Sequence, residues 1–78
     1  MDWKNVKVPA GCRLFRGHTF TFMRKGVTYN LGIDEYSDGS FTGHGEHSTD
    51  KNLVIEAVNG VSLADCVNAL IAKIEKRG

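Results

Sequence analysis

Six apolar residues near the end of the chain, Leu63, Cys66, Val67, Leu70, Ile71 and Ile74, fall at i, i+3, i+4, i+7, i+8 and i+11. That spacing lines them up on one stripe of a helix. The flanks agree with it. Ser62 is a good N-cap, Asp65 stands in the first turn, and Lys73, Lys76 and Arg77 lie in the last. Each sign matches the helix dipole. The spacing predicts a helix over Leu63 to Arg77, ended by Gly78. A helix apolar on one face must be covered by something, and 78 residues allow only one domain in which to find it.

The cover is read from alternation. Val27, Tyr29, Leu31 and Ile33 alternate with Thr28, Asn30, Gly32 and Asp34, the period of a strand with one buried face. Phe20 and Phe22 alternate with Thr19, Thr21 and Met23 just before, and Arg24-Lys25-Gly26 reads as the tight turn between the two runs. Asp38-Gly39 reads as the next turn, leading into a third strand over Phe41 to Glu46. Gly43 and Gly45 leave little side chain on its Phe41 face, so the helix can come close there or the strand can bend. Leu53 to Val58 is short and apolar, and its β-branched content before Asn59-Gly60 favours a fourth strand.

The expected fold is α+β: a three- to four-stranded antiparallel meander with one C-terminal helix packed on one face. Residues 1–17 read as an irregular arm broken by Pro9 and Gly11, with a short edge strand at Cys12 to Arg16 and an end at Gly17. Residues 18–58 hold the strands and 62–77 the helix. Trp3 is expected to pack back on the domain, the commoner fate of a lone tryptophan. The uncovered face should show Thr19, Thr21, Thr28, Asn30, Thr42 and His44.

Composition narrows the function. No run of about 18 apolar residues exists to span a membrane, and Met1 to Ala10 has no apolar core of a secretory signal. Two cysteines, Cys12 and Cys66, are too few for a disulfide scaffold, and Cys66 lies on the helix stripe. Two reduced thiols in a cytoplasmic protein are the expectation. The net charge of +1 speaks against both a basic nucleic-acid clamp and an acidic DNA mimic. The charge is nevertheless uneven. Residues 1–30 carry six cations against one anion, and residues 31–60 carry six anions against one cation. The fold then shows a basic and an acidic pole, or neighbouring strands neutralise each other.

Candidate chemistry is sparse. His44-Gly45-Glu46-His47 places His44 and Glu46 on one face of a strand and His47 on the other, which does not match the helical spacing of H-E-x-x-H zinc sites. No serine stands in a G-x-S-x-G elbow, and the glycines form no phosphate-binding pattern. No catalytic residues, metal ligands or cofactor are expected. The expected activity is that of a non-enzymatic protein-binding module. Its binding residues are Asp34, Glu35, Tyr36 and Asp38 of an acidic hairpin, with Thr28, Asn30 and His44 beside them, docking on a partner with a basic surface.

Three resemblances bear on this reading. A three-stranded sheet backed by a C-terminal helix resembles, in topology, the arm-binding domains of phage and transposon integrases. That implies nucleic-acid binding as the alternative, through Lys4, Lys7, Arg13, Arg16, Arg24 and Lys25. Leu53 to Leu63, especially Glu56 to Leu63, resembles the strand–turn–helix stretch of PDZ domains over about a seventh of the chain, and no residue roles carry over from it. In size and style the chain is similar to anti-CRISPR proteins, which implies a phage or mobile-element inhibitor or adaptor.

Overall fold

The computed structural model describes residues 3–50 and 52–77. Four strands, β1 (Phe15–Arg24), β2 (Val27–Tyr36), β3 (Phe41–His47) and β4 (Val54–Gly60), form one antiparallel sheet in chain order. A C-terminal helix, α1 (Leu63–Arg77), packs against it, after an N-terminal 3-10 turn over Trp3–Asn5. The α+β meander with a helix on one face is therefore the fold. Gly78 lies outside the described residues.

The β1–β2 hairpin closes on two residues, Lys25 and Gly26, with φ of 51° and 79°. Two successive positive φ values make a type I′ turn, whose twist matches that of paired strands. Gly26 meets that demand without cost, whereas Lys25 sits in the sparsely used left-handed region. From this turn β1 and β2 stay in register over ten pairs, from Arg24 opposite Val27 to Phe15 opposite Tyr36.

The core lies between β2–β4 and α1. Leu31, Ile33, Ile55, Val58, Cys66, Leu70 and Ile74 are buried. Phe22, Tyr29, Phe41, Leu63, Val67 and Ile71 pack around them. The helix stripe thus faces the alternating face of β2, and each fully buried aliphatic side chain contributes about 1.5–3 kcal/mol. Gly43 lets the helix approach. A Cβ there would lie 2.9 Å from Val58 Cγ2, 3.0 Å from Ile33 Cδ1 and 3.2 Å from Leu70 Cδ1. The β3–β4 register also shifts between Gly43 and Gly45, a bulge that bends the sheet's edge. Ser62 caps α1, accepting from the Asp65 backbone N–H at 3.1 Å.

Three expectations change. The arm does not run to Gly17. Backbone pairing with β2 begins at Phe15, and Gly17 stands opposite Asp34 inside the ladder. Asn59-Gly60 is no turn but the end of β4, paired with Thr42 and Phe41. Phe20, expected in the core, is 38% exposed. It lies on the helix-facing side of β1, but α1 packs mainly on β4, then β3, then β2, and its footprint stops short of the first strand. Trp3 does pack back, with the Arg16 guanidinium 5.2 Å from its ring centre.

Two outcomes follow from this packing. Alanine is normally kinder to a strand than glycine, yet Gly43→Ala should destabilise by about 1–3 kcal/mol in urea denaturation, because its methyl overpacks the core. Cys12 is exposed and Cys66 buried, and burial, with the Asp65 charge beside it, pushes the Cys66 thiol upward. A thiol reagent should therefore label one cysteine rapidly in the native protein and the second only on unfolding.

Candidate functional site

Alternation along β2 sorts its residues between two surfaces. The odd positions Leu31, Ile33 and Glu35 are buried under the helix-bearing face. The even positions Thr28, Asn30, Gly32, Asp34 and Tyr36 form a file down the other face, half-buried between neighbouring strands. Register adds Thr21, Thr19 and Gly17 of β1 on one side of the file and Glu46, His44 and Thr42 of β3 on the other. No strand or helix of the described residues lies over this face. It carries hydroxyls, an amide, an imidazole and two carboxylates, and neither lysine nor arginine at these paired positions.

A shallow depression of ≈ 310 Å³ sits at its middle, walled by Thr19, Asn30, His44 and Glu46 around Gly32. The His44 ring lies directly over the bare Gly32 backbone. A Cβ at Gly32 would come within 2.4 Å of His44 Cε1. The missing side chain therefore makes room for the imidazole against the strand.

The file ends at an aromatic corner. Tyr36 packs on Phe15 with ring centres 5.1 Å apart, and the Arg13 guanidinium sits 4.0 Å from the Tyr36 ring centre. That is close enough for cation–π attraction. Beyond it, Asp38 closes the β2–β3 turn. Its Oδ1 accepts from the Ser40 backbone N–H at 2.9 Å and from the Ser40 hydroxyl at 2.6 Å. These bonds, the hydroxyl's first, hold the Asp38 carboxyl below its usual range.

Glu35 does not belong to this surface. It is a strand neighbour of Asp34 and Tyr36 but has the parity of Leu31 and Ile33, so it points to the opposite face. There Lys4 Nζ lies 2.9 Å from Oε2, Arg16 Nη2 3.1 Å from Oε1, and His18 Nε2 2.9 Å from Oε1. The ionised carboxylate can only accept, so all three groups donate to it. The His18 bond most of all, then Lys4 and Arg16, lowers the Glu35 carboxyl to about 2 against the opposing effect of burial. Glu35 thus ties the N-terminal arm and β1 to β2.

Of the seven expected binding residues, Thr28, Asn30, Asp34 and Tyr36 share the file. His44 flanks it, Asp38 stands at its end, and Glu35 is turned away. The parity that buries Glu35 was already legible in the run Leu31, Ile33, Glu35. Glu46 and Gly32 were missed as part of the site. Glu46 shares the His44 face by alternation, whereas the depression at Gly32 needs the β2–β3 register, which no local pattern contains. The six basic residues of the alternative reading are dispersed. Lys4 and Arg16 bind Glu35 and Arg13 stacks on Tyr36. Arg24 and Lys25 lie at the other end of β1, about 26 Å from Arg16 at a strand's rise.

His47 lies on the helix-bearing face. Its ring meets Tyr29 edge-on at 5.3 Å, and its Nδ1 accepts from the Asp50 backbone N–H at 2.9 Å. Among the described residues no group of three or more His, Cys, Asp or Glu is placed to hold a metal ion. No helix among them is long and apolar enough to cross a membrane. No protein-family model, curated protein or solved structure matches the chain.

The Glu35 cluster sets a pH dependence whose sign is determined. A carboxyl held near 2 in the folded chain, against an ordinary 4.5, stabilises fully above about pH 4.5, and that contribution is lost as pH falls toward 2. Glu35→Gln should lower the melting temperature at pH 7 and flatten the decline in stability between about pH 5 and pH 2. Parallel pH profiles for the two proteins, followed by urea denaturation, would count against the cluster as an acid-sensitive tie.

Proposed function

We propose that this chain is a non-enzymatic protein-binding module that docks the open face of its sheet on a partner. The polar depression walled by Thr19, Asn30, His44 and Glu46, on a face that no strand or helix of the described residues covers, carries the reading. Gly32 leaves its side-chain space to the His44 ring, which sets one wall of that depression. Asn30, Thr19 and His44 line the depression with donors and acceptors, Glu46 adds a carboxylate to its wall, and Asp34 another farther along the file. These groups stand on a sheet held rigid by pairing on both sides of β2, so little ordering is required on binding.

The partner that fits presents hydrogen-bond donors and basic side chains, with a protruding group for the depression. Tyr36, already in contact with Phe15 and Arg13, is a preordered anchor at the end of the file. A stoichiometric inhibitor or adaptor of the type encoded by phage and mobile elements would work in this way, by covering a basic functional surface. The paired strand positions of the open face carry no lysine or arginine, and Arg13 at its end is stacked on Tyr36, so the face favours protein over nucleic acid as the partner.

The test is affinity capture from a cell lysate with and without nuclease, read by mass spectrometry and repeated with Asp34→Lys/His44→Ala. Capture of a stoichiometric protein should survive nuclease, and the double variant should weaken it by at least about tenfold. Both positions are on the open face, so the variant should keep the native circular dichroism spectrum. Undiminished capture by the folded variant would exclude this face, and capture lost with nuclease would point to nucleic acid.

A further inference from the structure

The two edges of the sheet are protected very differently. At one edge, β4 spans seven residues, is bulged against β3, lies nearest to α1, and is bridged to it by Lys73 Nζ and Glu56 Oε2 at 3.2 Å. Bulges and covering elements are the ordinary means of blunting an edge. At the other edge, β1 has ten residues, no proline, an unbroken register and cations only near its ends, at Arg16 and Arg24. No strand of the described residues pairs with its outer side. Phe15, Phe20 and Met23, at 50%, 38% and 67% exposure, are three of the five large exposed apolar side chains among the described residues.

The hairpin turn decides which backbone groups the open edge presents. In a two-residue hairpin the closing pair, here Arg24 and Val27, is hydrogen-bonded in both directions, and bonded and non-bonded pairs then alternate. The even residues of β1 therefore bond to β2. Two further bonds agree with this parity. Ser37 N–H donates to Leu14 C=O at 3.0 Å, continuing the even series, and Thr28, opposite the odd Met23, turns its C=O away from β1 to Ser48 N–H at 3.0 Å. The N–H and C=O groups of Phe15, Gly17, Thr19, Thr21 and Met23 consequently point outward.

We propose that this edge pairs antiparallel with β1 of a second copy about a two-fold axis, joining the two sheets into one of eight strands. Such an axis stands normal to the sheet, so both helices fall on the same side and residues pair only with residues of like parity. An axis at Phe20 would oppose Arg16 and Arg24, two like charges, which is unfavourable. An axis at Thr19 opposes Phe15 to Met23, Phe20 to His18 and Phe22 to Arg16, each twice. That register covers all three exposed apolar side chains of β1 with apolar or aromatic partners. It also fills the shelf at Phe20 that α1 leaves open. Self-complementarity of this kind is what a second copy offers and an arbitrary extended peptide does not. The β2 file remains uncovered in the pair, and Thr19 and Phe15 border both surfaces.

Sedimentation equilibrium of the full chain from about 1 µM to about 1 mM should show the 8.6 kDa protein passing to twice that mass. Thr21→Pro removes an N–H that points outward and none that bonds β2, so it should keep the fold and weaken association by at least about tenfold. Hydrogen exchange on the unaltered protein gives a second readout. The amides of Gly17, Thr19 and Thr21 should be protected when concentrated and exchange faster on dilution, while those of His18, Phe20 and Phe22 stay protected throughout. A chain that remains at 8.6 kDa overturns the proposal. So does a dimer undiminished by Thr21→Pro, or exchange of the outward amides that is independent of concentration.

Discussion

Everything in this structure hangs on the strict alternation of β2. The strand is hydrogen-bonded along both sides, so its side chains have only two directions available, and the two directions have opposite chemistry. Toward the helix go Leu31 and Ile33, which are almost fully buried and seat the α1 stripe, followed by Glu35 at the margin of the core. Away from it go Thr28, Asn30, Gly32, Asp34 and Tyr36. A slip of one residue would exchange the two sets. The ten-pair register that begins at the Lys25-Gly26 turn is what prevents it.

The margin of the core is finished electrostatically. Fifteen helical residues laid over β2–β4 do not reach the first strand, and the arm occupies part of what remains. Lys4, Arg16 and His18 converge on Glu35 there, and Arg16 also faces Trp3. A carboxylate with three donors is satisfied despite its burial, which an unpaired one would not be. The same cluster pairs, at the surface, two of the cations that the charge distribution along the chain assigns to a basic pole. The sequence halves of opposite charge are thus folded onto each other at this point, and the open face is left mildly acidic.

Glycine placement links the core to the binding face. Gly43 gives up a side chain so that Val58, Ile33 and Leu70 can close together on the helix side. Gly32, one strand away and on the opposite face, gives up a side chain beneath His44. One absence admits the helix and the other seats the His44 ring on the open face. Strand stability is reduced at both positions, and the long β1–β2 ladder offsets that loss.

Much of this was written locally. The helix stripe, its Ser62 cap, the alternation of Val27–Asp34 and the Asp38 turn each rest on neighbours a few residues apart, so the α+β meander was legible from the chain alone. The same alternation held the direction of Glu35, although a run of acidic and aromatic residues invited its assignment to the partner face. What the tertiary structure alone decided is relational. The breadth of α1's footprint leaves Phe20 exposed. Backbone pairing carries β1 through Gly17 and β4 through Asn59-Gly60. The β2–β3 register lays His44 on Gly32. Each depends on which strands meet and in what register, and that is set by burial summed over the whole sheet, not by any segment's own preference.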